Sequence, residues 1–159
     1  MYLEGLSKSQ KLPKEKGKHF DLVHCGKFAD LVKLFEPANH PLTDKPIAGE
    51  FFLKDQINLT GMQVSFGTMP AGAAVPFNHK HRHNEELYIF IGGDGQIQID
   101  GHTFSVHEGT AVRVSPEGKR SWRNTGSTNL NYIVIQAKEN SLGKDIEDGK
   151  PCHSQPKWE

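Results

Sequence analysis

The chain has 159 residues, of which 35% are hydrophobic and 24% are charged, a composition that suits one globular domain with polar ends. Nineteen basic residues balance nineteen acidic ones, so no overall positive charge supports nucleic-acid binding. No segment reaches the roughly 18 apolar residues of a membrane span, and the N-terminus lacks the apolar stretch of a signal peptide. We therefore expect a cytoplasmic protein that binds neither nucleic acids nor membranes.

Residues 1–55 predict an N-terminal arm that packs on the main domain. Within it, residues 27–35 carry apolar side chains at helical spacing, which predicts a short helix, and residues 50–53 resemble a short extra strand. At the other end, residues 138–159 form a polar tail with few apolar residues.

Residues 56–137 predict the main domain, an all-β barrel. Short segments of alternating apolar and polar residues are separated by glycine-rich turns, and Asp100-Gly101 predicts a tight hairpin. Residues 87–91 are apolar on both strand faces, so one face meets the interior and the other meets a second layer. That layer is either the N-terminal segment or a partner subunit.

His79 and His81 are separated by one residue, so on a strand their side chains share one face. Glu86 has the opposite parity, and a bend between Arg82 and Glu85 is needed to bring it to the same place. Two imidazoles and one carboxylate suit a divalent first-row transition ion and leave coordination positions open. The alternative is a histidine-rich turn at the surface.

The passage around these residues reads Gly72-AAVPFN-His79-Lys-His81-RHNE-Glu86-LYIFIG-Gly93. It resembles the first motif of the cupin superfamily, although Gly72 lies one residue further from the histidine than the family pattern asks. The resemblance implies a jelly-roll β-barrel, or double-stranded β-helix, with a ligand pocket inside, and usually a homodimer. The N-terminal helix and arm would be additions to that barrel.

Two glutamates fit the motif. Glu86 is preferred because a Gly-x-Gly turn then follows at the family's distance, but Glu85 satisfies the same spacing. Many members carry a tyrosine three residues after the glutamate, a count that leads from Tyr88 to Glu85, so Glu85 stays an alternative metal ligand. Tyr88 is a candidate pocket residue or plain core, and His83 is expected to be exposed in the bend.

The second motif of the superfamily lacks its histidine here. Counting from Gly109 places that histidine at Arg120, and counting from the inner Pro-x-Gly places it at Ser121. Arginine has no lone pair to offer a metal. The guanidinium therefore either holds a substrate carboxylate or phosphate in a bidentate grip beside the ion, or neutralises Glu86 or Glu85 in a metal-free pocket. The paired histidines favour the first interpretation.

The resemblance implies one divalent transition ion, Fe, Mn, Ni or Zn, and a small-molecule ligand, but it does not fix the reaction. A metal-dependent enzyme acting on a small anionic molecule, of dioxygenase, isomerase or lyase type, is the first hypothesis. The alternative is a non-catalytic cupin that binds or senses a small molecule, with or without metal.

Overall fold

The structure is a computed structural model that describes residues 12–34, 49–143 and 148–158. Its strands form three antiparallel sheets, with the orders β1-β2, β3-β4-β10-β5-β8 and β7-β6-β9. No helix in these ranges is long and apolar enough to cross a membrane. The elements in chain order are β1 (Lys14–Lys16), β2 (Asp21–Val23), a 3₁₀ helix (Phe28–Leu34), β3 (Gly49–Phe52), β4 (Gln63–Met69), β5 (Asn84–Gly92), β6 (Asp94–Ile99), β7 (His102–His107), β8 (Ala111–Val114), β9 (Arg120–Asn124) and β10 (Leu130–Lys138).

The five-stranded and three-stranded sheets enclose one hydrophobic core, which confirms the predicted all-β barrel. Alternate residues of β5, β9 and β10 point inward, as the period of two requires. The predicted hairpin is present between β6 and β7, where Asp100 and Gly101 have φ values of 49° and 84°, as a type I′ turn requires. The buried side chains of this core include Met69, Tyr88, Phe90, Ile97, Val106, Val114, Trp122, Leu130, Tyr132 and Val134.

The N-terminal elements cover part of the outer face of the larger sheet. Leu31 of the 3₁₀ helix and Phe51 of β3 are buried in a second apolar cluster, against which Val64 and Phe66 of β4 pack. The predicted short helix is thus a 3₁₀ helix in the described residues, and Phe35, the last residue of the prediction, lies outside them. The second layer over β4 is the chain's own N-terminal segment.

Gly67 makes room for an aromatic ring inside the barrel. A Cβ atom at this position would lie 2.1 Å from Cε2 of Tyr132. We expect Gly67→Ala to lower the free energy of unfolding by about 2 kcal/mol, because overpacking a tight core costs roughly 1–3 kcal/mol. Urea denaturation measures this. Gly61→Ala is the matched control, since a Cβ there meets nothing within 4 Å, and equal effects of the two changes would contradict the prediction.

Candidate metal centre

His79 and His81 lie on the segment between β4 and β5, which is attached to the smaller sheet. The backbone of His79 exchanges two hydrogen bonds with Arg120 of β9, with N to O distances of 3.1 and 3.0 Å. The amide of His81 donates to the carbonyl oxygen of Pro116 at 2.9 Å. The two histidines are therefore positioned by β9 and by the loop before it.

A bend at Arg82 and His83 separates this segment from β5, within the interval that the parity argument required. Glu86 consequently faces the barrel interior and is buried. Glu85 is on the opposite face of the strand, where it forms an ion pair with Arg113. The structure brings Glu86 to the histidines and directs Glu85 away from them. His83 is exposed.

The three side chains converge on one point. Nε2 of His81 lies 3.0 Å from Oε1 of Glu86, and Nε2 of His79 lies 3.7 Å from Oε2. One potential ligand atom from each residue lies within 4.8 Å of the other two. Ligand bonds of roughly 2.0–2.2 Å place neighbouring donor atoms about 3 Å apart, so the separations fit a shared ion. A ring nitrogen this close to a carboxylate oxygen also needs a hydrogen or a cation between them.

Two further side chains orient the Glu86 carboxylate. The Tyr88 hydroxyl donates to Oε2 at 2.5 Å, and Nε2 of Gln136 donates to Oε1 at 3.3 Å. Tyr88 contacts Glu86 because residues two apart on a strand share a face. In the cupin pattern the tyrosine lies three residues after the glutamate, which would pair Tyr88 with Glu85. In this structure Tyr88 instead bonds Glu86, two residues before it. Gln136 comes from β10, where it is directly paired with Glu86.

The Glu86 carboxyl is held in its charged form. Burial raises its pKa, but hydrogen bonds with His79, His81 and Tyr88 outweigh burial and bring the pKa well below its ordinary value. Burial and the neighbouring Glu86 charge raise the pKa of Tyr88 well above its usual value. The site thus presents a carboxylate and a neutral phenol donor at neutral pH.

Arg120 lies beside this carboxylate and has no solvent exposure. Its Nη1 donates to the carbonyl oxygen of Gly118 at 2.7 Å and makes longer contacts of 3.4 Å to those of Pro116 and His79. Its Nε lies 3.1 Å from Oε2 of Glu86. The two atoms form an ion pair, but their angles do not meet the geometry of a hydrogen bond. Nη2 has no hydrogen-bond partner among the described residues. The guanidinium is therefore fixed by the backbone on one side and faces Glu86 on the other.

Glu50 was not singled out from the sequence, yet it lies on the interior face. In β3 it alternates with the buried Phe51 of the outer cluster, and its strand partner is Gly67. Burial, followed by the negative charge of Glu86, raises the pKa of Glu50 to about 7. The alternation in GEFF separates the two faces of the strand, but it does not show which of them meets the interior.

This raised pKa predicts a pH-dependent stability of the metal-free protein. Protonated Glu50 stabilises the folded state fully below pH 4.5, its ordinary pKa, and this contribution is lost as the pH rises through about 7. Glu86, Tyr88 and Tyr132 are the ionisable groups whose charges interact with it. The compared quantity is the free energy of unfolding of Glu50→Gln minus that of the wild type. We expect this difference to be up to about 3 kcal/mol larger at pH 8 than at pH 4.5.

Urea denaturation at the two pH values measures this difference. Glu117→Gln is the control, because Glu117 is exposed and its hydrogen bond with Lys80 lowers its pKa, so any effect has the opposite sign. A difference between Glu50→Gln and the wild type that does not change with pH would contradict the assignment.

Comparison with known proteins agrees with this architecture. The family described as the cupin domain matches residues 65–136. A cupin protein from Bacteroides fragilis is 34% identical, with a TM-score of 0.62, and the match covers 74% of this chain and 98% of that chain. No curated protein sequence matches.

Two less similar structures support the fold alone. A candidate sugar phosphate isomerase from Acidithiobacillus ferrooxidans is 19% identical with a TM-score of 0.57, covering 69% of this chain and 72% of that one. A predicted oxalate decarboxylase from Thermotoga maritima is 21% identical with a TM-score of 0.50, covering 57% of this chain and 78% of that one. Together with the barrel and the matched residues, the Bacteroides relative shows that the chain belongs to the cupin superfamily.

Proposed function

We propose that this cupin is a metal-dependent protein that acts on a small anionic organic molecule at a centre formed by His79, His81 and Glu86. The observation that carries the proposal is the convergence of three ligand atoms within 4.8 Å of one another in the barrel interior. The third ligand is a buried carboxylate whose pKa is lowered, so it needs no deprotonation to bind a cation.

A bound divalent ion would supply Lewis-acid activation at the positions that three protein ligands leave open. Tyr88 and Gln136 hold the Glu86 carboxylate in place through its two oxygens. Arg120 contributes a fixed positive charge beside them. Its Nη1 is taken up by a backbone carbonyl and its Nε faces Glu86, so the anion would be held through Nη2 rather than between the two terminal nitrogens.

The names of two structural neighbours support an anionic ligand. Oxalate and sugar phosphates are both small anions, and they occur in the names of the Thermotoga and Acidithiobacillus proteins. A lyase or an isomerase acting on such a molecule, or a dioxygenase, is the class of reaction that we propose for this site. A screen of small acids and sugar phosphates for turnover by the metal-loaded protein tests that class.

Metal content tests the proposal directly. Protein purified without chelators is expected to carry about one equivalent of Fe, Mn, Ni or Zn per chain, measured by elemental analysis. Removal of the ion by a chelator should lower the unfolding temperature, and reloading should restore it. Protein that carries no metal and cannot be loaded would refute the metal-dependent function.

A second candidate, a non-catalytic and metal-free small-molecule binder, is favoured by one observation. The buried Arg120 Nε lies 3.1 Å from Oε2 of Glu86, so a protein cation already balances the carboxylate. This candidate predicts that a small anion binds equally well with and without metal, as measured by calorimetry. Turnover of any molecule in the screen would exclude it.

We also propose that the protein is a cytoplasmic homodimer, with residues 1–55 as an arm on the barrel of residues 56–137 and residues 138–159 as a tail. The outer face of β5 and β10 supports the dimer, since it carries half-buried apolar side chains. These side chains include Leu87, Ile89, Ile133 and Ile135. Sedimentation equilibrium tests the assembly.

A further inference from the structure

We propose that Glu50, Tyr132 and Trp122 form a second polar site in the barrel interior, which binds a hydroxyl group of the ligand. The inference rests on the proposed function, because the ligand is the anionic molecule taken up at the metal centre. It deepens that function by naming the ligand class as hydroxylated anions, such as hydroxy acids or sugar derivatives.

The position of Tyr132 follows from the strand register. Gly67 of β4 is paired with Tyr132 of β10 on one side and with Glu50 of β3 on the other. The Tyr132 ring lies over Gly67, with Cε2 at 2.1 Å and Cζ at 2.4 Å from the place of a Cβ atom. The ring therefore extends across β4 towards β3, and its hydroxyl end approaches Glu50.

Two buried donors in this region lack a well-formed hydrogen bond. Tyr132 is fully buried and Trp122 is 7% exposed, and neither the phenol oxygen nor the indole Nε1 makes a hydrogen bond of normal geometry with any residue that the structure describes. The two groups are neighbours, since burial raises the pKa of Tyr132 while a contact with the Trp122 indole lowers it. The two rings are in edge contact, with centroids 5.7 Å apart, so their polar groups belong to one region. Buried polar groups without partners are uncommon in proteins, and a ligand is one way in which they become satisfied.

Glu50 supplies an acceptor to the same region. Its side chain is only partly buried, and within residues 12–34, 49–143 and 148–158 no hydrogen bond or ion pair involves its carboxylate. Burial is the main cause that raises the pKa of both Tyr132 and Tyr88, and the charge of Glu50 adds to it, which agrees with a location close to their phenols. The region thus contains one acceptor, Glu50, and two donors, Tyr132 and Trp122, whose polar groups make no well-formed hydrogen bond with the described residues.

An alcohol hydroxyl matches this set, because it donates one hydrogen bond and accepts two. Above about pH 7, where Glu50 is charged, a second carboxylate or a phosphate does not match, since it would meet that negative charge. The anionic part of the ligand is therefore expected at the metal centre and Arg120, with a hydroxyl reaching the site formed by Glu50, Tyr132 and Trp122.

Matched pairs of small acids test the inference by calorimetry on metal-loaded protein: malate with succinate, lactate with propionate, and glycolate with acetate. At least one hydroxy acid is expected to bind ten-fold or more tightly than its deoxy partner, because a site built for a hydroxyl rejects the analogue that lacks it. Tyr132→Phe and Glu50→Leu, which removes the acceptor, should each bring that ratio to about one without changing the metal content. The exposed Glu117→Gln is the control and should keep the wild-type ratio.

Absence of any hydroxy preference, or its persistence in both variants, would overturn the inference. Tyr132→Phe removes an oxygen without a well-formed hydrogen bond and should unfold at or above the wild-type temperature. A clear loss of stability would reveal a structural partner for the hydroxyl and would also overturn the inference.

The two proposals fail separately. Metal-free protein that keeps the preference refutes only the metal-dependent function, whereas metal-loaded protein without the preference refutes only the hydroxyl site.

Discussion

Replacing His79 and His81 together by alanine is expected to reduce bound metal from about one equivalent per chain to less than about one tenth. The change removes both nitrogen donors and leaves Glu86 as the single described ligand of the cluster. A lone carboxylate binds first-row transition ions weakly in competition with water. Elemental analysis after dialysis measures the loss, and metal should no longer raise the unfolding temperature of the variant.

The matched control for this experiment is His83→Ala. His83 belongs to the same HKHRH sequence, but it lies in the bend and is exposed. This variant should keep the metal content and the thermal response of the wild type. Equal loss of metal in both variants, or retention of metal by the double variant, would show that the ion is held elsewhere.

Replacing Arg120 by methionine is expected to lower the free energy of unfolding of the metal-free protein by about 3–5 kcal/mol. The change leaves Glu86 charged and buried without its cation. It also removes the donor to the Gly118 carbonyl. Urea denaturation with a chelator present measures the effect. With metal bound the loss should be smaller, because the ion then balances the carboxylate.

Arg123→Met provides the comparison, since Arg123 is on the same strand. It is exposed and bonds Gln96 at 2.9 and 2.6 Å. Its replacement should change the free energy of unfolding by roughly 0.5 kcal/mol. If the two variants are equally stable, the Arg120 guanidinium does not balance Glu86 in the folded protein.

The barrel was predictable because its signals are local. Alternating apolar residues, glycine turns and the Asp100-Gly101 hairpin each act within a few residues. The hairpin of β1 and β2 was not predicted. Its strands have three residues each and β1 is exposed on every residue, so no apolar alternation marks it. The pairing depends on contacts with the rest of the fold.

The candidate site was also predictable where its signals are local. His79, His81 and Glu86 lie within eight residues, and the parity argument located the bend that unites them. Glu50 and Gln136 come from strands at opposite ends of the barrel sequence, and their approach to Glu86 depends on strand register, which no local pattern contains. The sequence identified the residue at position 120 but not its buried contacts with backbone carbonyls.

The three proposed metal ligands differ in how firmly the fold holds them. Glu86 lies in the nine-residue β5, paired on one side with β10 and on the other with β8. The histidine segment is outside the named strands and is joined to the barrel at isolated bridges, one of them at His79. Such a segment opens at a lower free-energy cost than a central strand. Exchange of a bound ion with solvent would therefore require brief detachment of the two histidines, at a rate that reports local opening rather than unfolding of the barrel.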